Sequence, residues 1–94
     1  MIAHQGWESD AVRRRSLGYL FEEVVTARDR EQSQSRERVS AEALSAARLR
    51  TLRALLDYAD MIESLGWPVP RVVHMDIVLR RSLCGPMAER LIHP

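Results

Sequence analysis

Few side chains in this chain of 94 residues could do chemistry, and they lie far apart. The three histidines are His4, His74 and His93, and Cys84 is the single cysteine. A metal site needs several ligands at short spacing, and a nucleophile needs a base that orients it. His74, Asp76 and Cys84 match no known ligand pattern, so we predict no catalytic residue, no metal site and no cofactor. An enzyme would need a concave pocket in which several arginines converge.

Arginine supplies the positive charge, since all 14 basic residues are arginine, against 13 acidic residues and a net charge of +1. A nucleic-acid-binding domain usually carries a much stronger basic excess. Three consecutive residues spread around a helix, so the run Arg13, Arg14 and Arg15 forms no single stripe. Ion pairing or solvation is the favoured role for that run and for Arg80 and Arg81. A small nucleic-acid-binding or phage-type transcriptional regulator remains the alternative.

Arg48 has an unusual place in the pattern, because its helical angle puts it among Leu44, Leu52 and Leu55. One interpretation is that its side chain extends past the apolar rim to water. The other is an interfacial ion pair with a carboxylate of another helix or another chain. The sequence leaves both open.

The first predicted helix follows a mobile arm over residues 1–8 and is capped by Ser9 or Asp10. Its apolar residues, from Leu17 to Ala27, fall on one arc at helical spacing. Residues 28–38 are polar throughout, and we predict a polar linker there. The alternative is a helical arm that a second chain supports.

The second predicted helix has the clearest start and stop signals. Ser40 stands at the N-cap position, and Gly66 stands where a left-handed residue closes a helix. Pro68 prevents continuation, so the helix ends at about Leu65. Its apolar arc is broad, and one neighbouring helix would leave part of that arc uncovered.

The C-terminal part is more ambiguous. Residues 71–79 alternate like a strand but also fit a helix that begins after Pro70, and we favour the helix because a lone strand would lack a ladder partner. Residues 87–92 add one or two closing turns. The prediction is an all-α single domain over residues 1–94, with two main antiparallel amphipathic helices and a shorter C-terminal helical segment.

Small size and a broad apolar arc together favour association. A chain of this length buries only about 60–70% of its unfolded surface, so a partner would add stability. We therefore predict a homodimer. No stretch has the pattern of a signal peptide or the roughly 18 apolar residues of a membrane span, and a single cysteine suits a reducing compartment, so we expect a cytoplasmic protein without membrane contact.

The segment Leu65-Gly66-Trp67-Pro68-Val69-Pro70-Arg71-Val72-Val73 resembles the end of small helical quorum-sensing antiactivators of the TraM-like type. The likeness covers about residues 49–73, and the chain continues from His74 to Pro94 where such a protein would finish. QslA-like antiactivators are similar in size and in their all-arginine composition. The resemblance implies a homodimer that binds a LuxR-type transcription factor and blocks its dimerisation or its DNA binding.

The expected function is therefore a regulatory protein-binding module. The residues predicted to contact a protein partner are Leu17, Leu20, Phe21, Val24, Trp67, Val72, Val73 and Ile77. Those predicted to form the core or a dimer seam are Arg48, Leu52, Leu55, Leu56 and Ile62. The sequence does not identify the target protein or the stoichiometry of the complex.

Overall fold

The computed structural model describes the backbone of residues 2–92 and the side chains of residues 11–90. Every regular element in that part of the chain is a helix: α1 (Ile2–Arg36), α2 (Ala41–Ser64), α3 (Arg71–Cys84) and α4 (Pro86–Ile92). The all-α prediction is confirmed, and so is the helical interpretation of residues 71–79. No helix of the described residues is both long enough and apolar enough to cross a membrane.

The polar linker predicted over residues 28–38 is wrong, because α1 continues to Arg36. Arginine, glutamate and glutamine form helices well, and the missing apolar face is replaced by ion pairs from Arg28 and Glu31 to α3. The connection to α2 is only residues 37–40, where Arg38 adopts a left-handed backbone conformation with φ of 53°. The support for this polar helix therefore comes from the same chain.

The predicted arm at residues 1–8 is also corrected, since α1 begins at Ile2 and not at a cap formed by Ser9 or Asp10. The side chains of this segment, Trp7 among them, lie outside the described set. Helix α1 has 35 residues and α2 has 24, so α1 is longer by about 16 Å.

Both ends of α2 are closed as the sequence predicts. The Ser40 hydroxyl accepts a hydrogen bond of 3.1 Å from the backbone N–H of Ala43. At the other end the Gly66 N–H donates to the Glu63 carbonyl and the Trp67 N–H donates to the Ile62 carbonyl, at 2.9 and 3.2 Å. Gly66 has φ of 77°, so this is a Schellman closure with glycine in the left-handed position.

Helix α2 is the central element, and it packs against α1, α3 and α4. Val24 of α1 and Ala54 and Leu55 of α2 form one buried cluster of the core, with Val73 and Ile77 of α3 packed against it. The expectation that α2 keeps an uncovered apolar arc is wrong, because none of its large apolar side chains is among the exposed ones. Helices α1, α3 and α4 of the same chain cover that arc.

Candidate interaction surface

Exposed apolar side chains lie mainly on two helices: Val12, Tyr19, Phe21 and Val25 on α1, and a longer series on α3. Val72, Met75, Val78, Leu79 and Leu83 are each 50–77% exposed, and no residue of α3 is fully buried. Their spacing of three and four residues places them on one side of the helix. Met87 of α4, also half exposed, follows them, and we call these six residues the α3 face.

The opposite side of α3 is held by apolar packing and by charge. Val73 and Ile77 pack on the core, while Asp76 and Arg80 reach towards α1. Helix α3 therefore has two apolar sides: one packs on the core and the other is exposed to solvent. The packing to the core fixes which side points outwards.

A four-residue ion network joins α1 to α3. Arg80 donates to both oxygens of Glu31, with Nη2–Oε1 at 2.6 Å and Nε–Oε2 at 3.4 Å. Asp76 accepts from both Arg80 and Arg28. The side chains of Arg80, Asp76 and Glu31 are only 12, 13 and 19% exposed, so the network is largely shielded from solvent. Paired, partly buried charges of this kind fix the register of two helices more than they add stability.

Arg48 has a different environment. Its side chain is half-buried, and it forms no ion pair or hydrogen bond with the residues that the structure describes. It lines two neighbouring grooves on α2, one shared with α1 and one shared with the α3–α4 corner. Of the interpretations of Arg48, an ion pair with a carboxylate of another helix is not formed among these residues, and an ion pair with another chain is not tested.

The groove between α1 and α2 brings three arginines together. Arg28, Arg48 and Arg80 line a space of about 440 Å³ along with Asp29 and Glu31. Arg28 and Arg80 are already bound to carboxylates, so most of the positive charge is neutralised. The three arginines therefore lie close together, as an arginine-based enzyme would need, but two of them are already paired with carboxylates of the chain.

The residues predicted to contact a partner differ widely in their exposure to solvent. Phe21, Trp67 and Val72 are exposed and available, whereas Leu17 and Leu20 are half-buried. Val24 is 2% exposed, so its placement in a partner surface is incompatible with this fold. Val73 and Ile77 pack against the core, which also removes most of their surface from any partner, because helix packing buries the side that the core requires.

Phe21 and Trp67, the two aromatic residues predicted to contact a partner, each contact a neighbour within the chain. The Phe21 ring lies 5.7 Å from the Tyr58 ring between centroids. The guanidinium carbon of Arg14 lies 5.8 Å from the centre of the Trp67 ring, within the range of a cation–π interaction. Both rings are therefore positioned on α1 or beside it before any partner arrives.

Of the five residues predicted to form a core or a dimer seam, three are buried within the described residues. Leu52 and Leu55 are fully buried and Ile62 nearly so, while Leu56 and Arg48 are half-buried. A second copy of the chain could not reach Leu52 or Leu55 without unfolding the bundle.

Sequence reasoning missed most of the α3 face, since Val72 was the only member that it singled out for partner contact. The signal was present: once residues 71–84 are treated as helical, two separate apolar arcs appear on that helix. Only one arc can face the core, so the other must be exposed or covered by another molecule.

The groups that could hold a metal or act as a nucleophile remain dispersed. The described residues contain no cluster of three or more histidine, cysteine or acidic side chains placed to bind a metal ion. Burial raises the pKa of the Cys84 thiol, and the positive charge of Arg48 offsets part of that rise. A thiol with a raised pKa is a weak nucleophile at neutral pH.

The arginine clusters are engaged with the chain itself. Arg13 donates to the Ser64 carbonyl at 3.3 Å, and Arg81 pairs with Glu89 at 3.6 Å. Arg14 lies over Trp67 and Arg80 is bound in the ion network. Arg80 and Arg81 therefore form ion pairs, whereas Arg13 contacts a backbone carbonyl and Arg14 an aromatic ring.

Comparisons of the chain with protein-family models, with curated proteins and with solved structures found no match. Among the described residues, α3 carries the largest group of exposed apolar side chains on one helix.

Proposed function

We propose that this chain is a regulatory protein-binding module that sequesters a transcription factor through the α3 face. The observation that carries the proposal is the second apolar arc of α3, which its own fold leaves uncovered. Exposed apolar patches of this kind on small domains commonly serve as interaction sites.

The size and chemistry of the α3 face suit a helical partner. Its six side chains present on the order of 500 Å² of apolar surface, which is close to the largest patch of a typical monomer. A standard interface buries about 800 Å² on each side, so a polar rim would complete it. Met75 and Met87 are flexible and can adapt to a partner's side chains. Arg71, His74 and Arg81 are exposed on α3 and can supply such a rim.

A second copy of the chain is the proposed occupant of the α3 face in the absence of a target. Since Leu52, Leu55 and Ile62 of α2 are buried in the core, a homodimer would use exposed apolar residues elsewhere. A two-fold contact places the same face on itself, so apolar residues meet apolar residues. The target would then replace the second copy and take its place on the same surface.

The proposed target is a LuxR-type regulator, on the basis of the sequence resemblance over about residues 49–73. The chain would act in the cytoplasm by covering the apolar surface through which the regulator dimerises or holds DNA. Blocking dimerisation weakens DNA binding because two half-sites must be held at once.

The test is competition between the full chain and operator DNA for each LuxR-type regulator of the same cell. We expect the wild-type chain to release one regulator from labelled operator DNA, measured by fluorescence anisotropy. Leu79→Asp should weaken this effect at least 100-fold, since a charge in the centre of an apolar interface is strongly unfavourable. Val12→Asp is the matched control, because Val12 is similarly exposed on α1 and outside the α3 face.

Two outcomes would contradict the proposal. One is that no LuxR-type regulator is released, or that both variants act like the wild type. The other is that the chain alone binds DNA with an affinity that falls steeply with salt, which would favour the nucleic-acid-binding alternative.

A further inference from the structure

A second concave feature lies beside the end of α3. The first turns of α2 face the corner between α3 and α4 across a groove of about 420 Å³, which we call the corner groove. Leu49, Leu83 and Met87 provide its large apolar walls, and Ala46 lies between them in the lining. This volume lies within the range of about 300–1,000 Å³ that is common for small-molecule sites.

Arg48 also lines the corner groove, and it is the less exposed of the two charged residues in the lining, Glu42 being the other. It is half-buried and has no ion pair or hydrogen bond with any described side chain, in contrast to the paired Arg80 nearby. A guanidinium that has lost part of its hydration favours an anionic partner, because charge-assisted hydrogen bonds replace the lost water. Glu42 lines the same groove but is exposed to solvent, so water screens its charge more effectively.

We propose that the corner groove binds a free straight-chain alkyl carboxylate, for which decanoate serves as the probe. The carboxylate of the ligand lies against Arg48, and its alkyl chain lies along Leu49, Leu83 and Met87. This ligand matches the groove in two independent respects, since apolar walls need an alkyl chain and an unpaired cation needs an anion. The groove is partly enclosed and has room for one alkyl chain. Binding to a bilayer surface would instead require a broad exposed basic patch on the protein. Leu83 and Met87 belong both to the corner groove and to the α3 face, whereas Arg48 and Leu49 belong to the groove alone. Ligand binding is tested on the protein without a target, so its outcome does not depend on the proposed function.

Cys84 provides a direct readout because it lines the corner groove and is the single cysteine of the chain. The experiment measures the rate at which a disulfide reagent labels this thiol as decanoate is added below its micelle concentration. We expect decanoate to slow labelling at least fivefold in a saturable manner. Shortening the ligand to octanoate should weaken binding by about tenfold if both lost methylenes are buried.

Charge specificity separates this site from general apolar binding. Decan-1-ol should protect Cys84 less than decanoate, and decyltrimethylammonium should not protect it. Equal protection by the cationic amphiphile would overturn the proposal. Binding only to phosphatidylglycerol vesicles, with no protection by free decanoate, would overturn it as well.

Two variants test the assigned residues. Arg48→Gln should reduce decanoate affinity at least tenfold, measured by calorimetry, without lowering the melting temperature, because Arg48 has no partner to lose among the described residues. Arg50→Gln is the matched control, since Arg50 is exposed on α2 and lines different grooves. Ala46→Phe should fill the groove and abolish binding while the exposed position leaves the fold intact. Unchanged affinity in Arg48→Gln or in Ala46→Phe would overturn the assignment.

Discussion

Arg48 and Arg80 show how much the surroundings of one residue type decide its role. Both are half-buried arginines on helices that face the middle of the molecule. Arg80 is bound by Glu31 and Asp76, whereas Arg48 has no such carboxylate among the described residues. The first therefore holds two helices in register, and the second is available to a ligand. A difference of this kind depends on side chains brought together from α1, α2 and α3.

Replacing Arg80 with methionine should lower the free energy of unfolding by about 1–3 kcal/mol. The change keeps most of the side-chain length but removes the partner of Glu31, which is 19% exposed, and leaves Asp76, which is 13% exposed, paired with Arg28 alone. Urea denaturation followed by circular dichroism measures the loss.

Arg81→Met is the control for this prediction. The Arg81 side chain is 46% exposed, and it pairs with Glu89 at 3.6 Å on the surface. Exposed pairs contribute little, so the change should stay below about 0.5 kcal/mol. Equal effects of the two substitutions would mean that the α1–α3 network has no special role.

At the scale of elements, α2 is the helix whose ends are specified most fully by local residues. Ser40 caps its first turn and Gly66 closes its last. Each of these hydrogen bonds joins residues only a few positions apart in the sequence. Helix α3 differs, because Pro70 at its N-cap provides no side-chain hydrogen bond. Its stability must come from packing on α2 and from the ion network with α1.

Ser40→Ala should destabilise the protein by about 1 kcal/mol, because the Ala43 N–H then loses its acceptor. Thermal unfolding monitored at the helical band measures this change. Ser45→Ala serves as the control, since Ser45 is an exposed residue inside the same helix and alanine favours helices. A Ser45→Ala loss as large as that of Ser40→Ala would argue against the cap as the cause.

The whole molecule is elongated for its length, with extents of 54 × 24 × 23 Å. Its radius of gyration is 15.3 Å, whereas a compact domain of this length has about 12 Å. The shape follows from three helices packed side by side around α2, with α1 longer than its neighbours. Such a bundle has a large surface relative to its core, and the α3 face adds to its apolar part.

We expect the chain to self-associate through the α3 face as its concentration rises. Sedimentation equilibrium should give a monomer–dimer equilibrium for the wild type and a monomer for Met75→Asp, because Met75 lies within that face. The control Val12→Asp should dimerise like the wild type. A wild-type chain that stays monomeric at high concentration would remove the homodimer from the proposed function.

The sequence by itself determined the helical class and the ends of α2, because Ser40, Gly66 and Pro68 act on backbone groups only a few residues away. It also favoured a helix over residues 71–79, since no strand partner was available. These features depend on local hydrogen bonds and backbone geometry, which short segments of sequence encode.

Only the tertiary structure decided how far α1 extends and which apolar surface is left over. Arg28 and Glu31 find their partners on α3, 48 and 49 residues further along the chain, so residues 28–36 looked unsupported when taken alone. The same packing covers α2 and leaves the α3 face exposed. An apolar arc in the sequence shows which side of a helix must be covered. Which element covers it depends on the packing of whole helices, to which distant parts of the chain contribute.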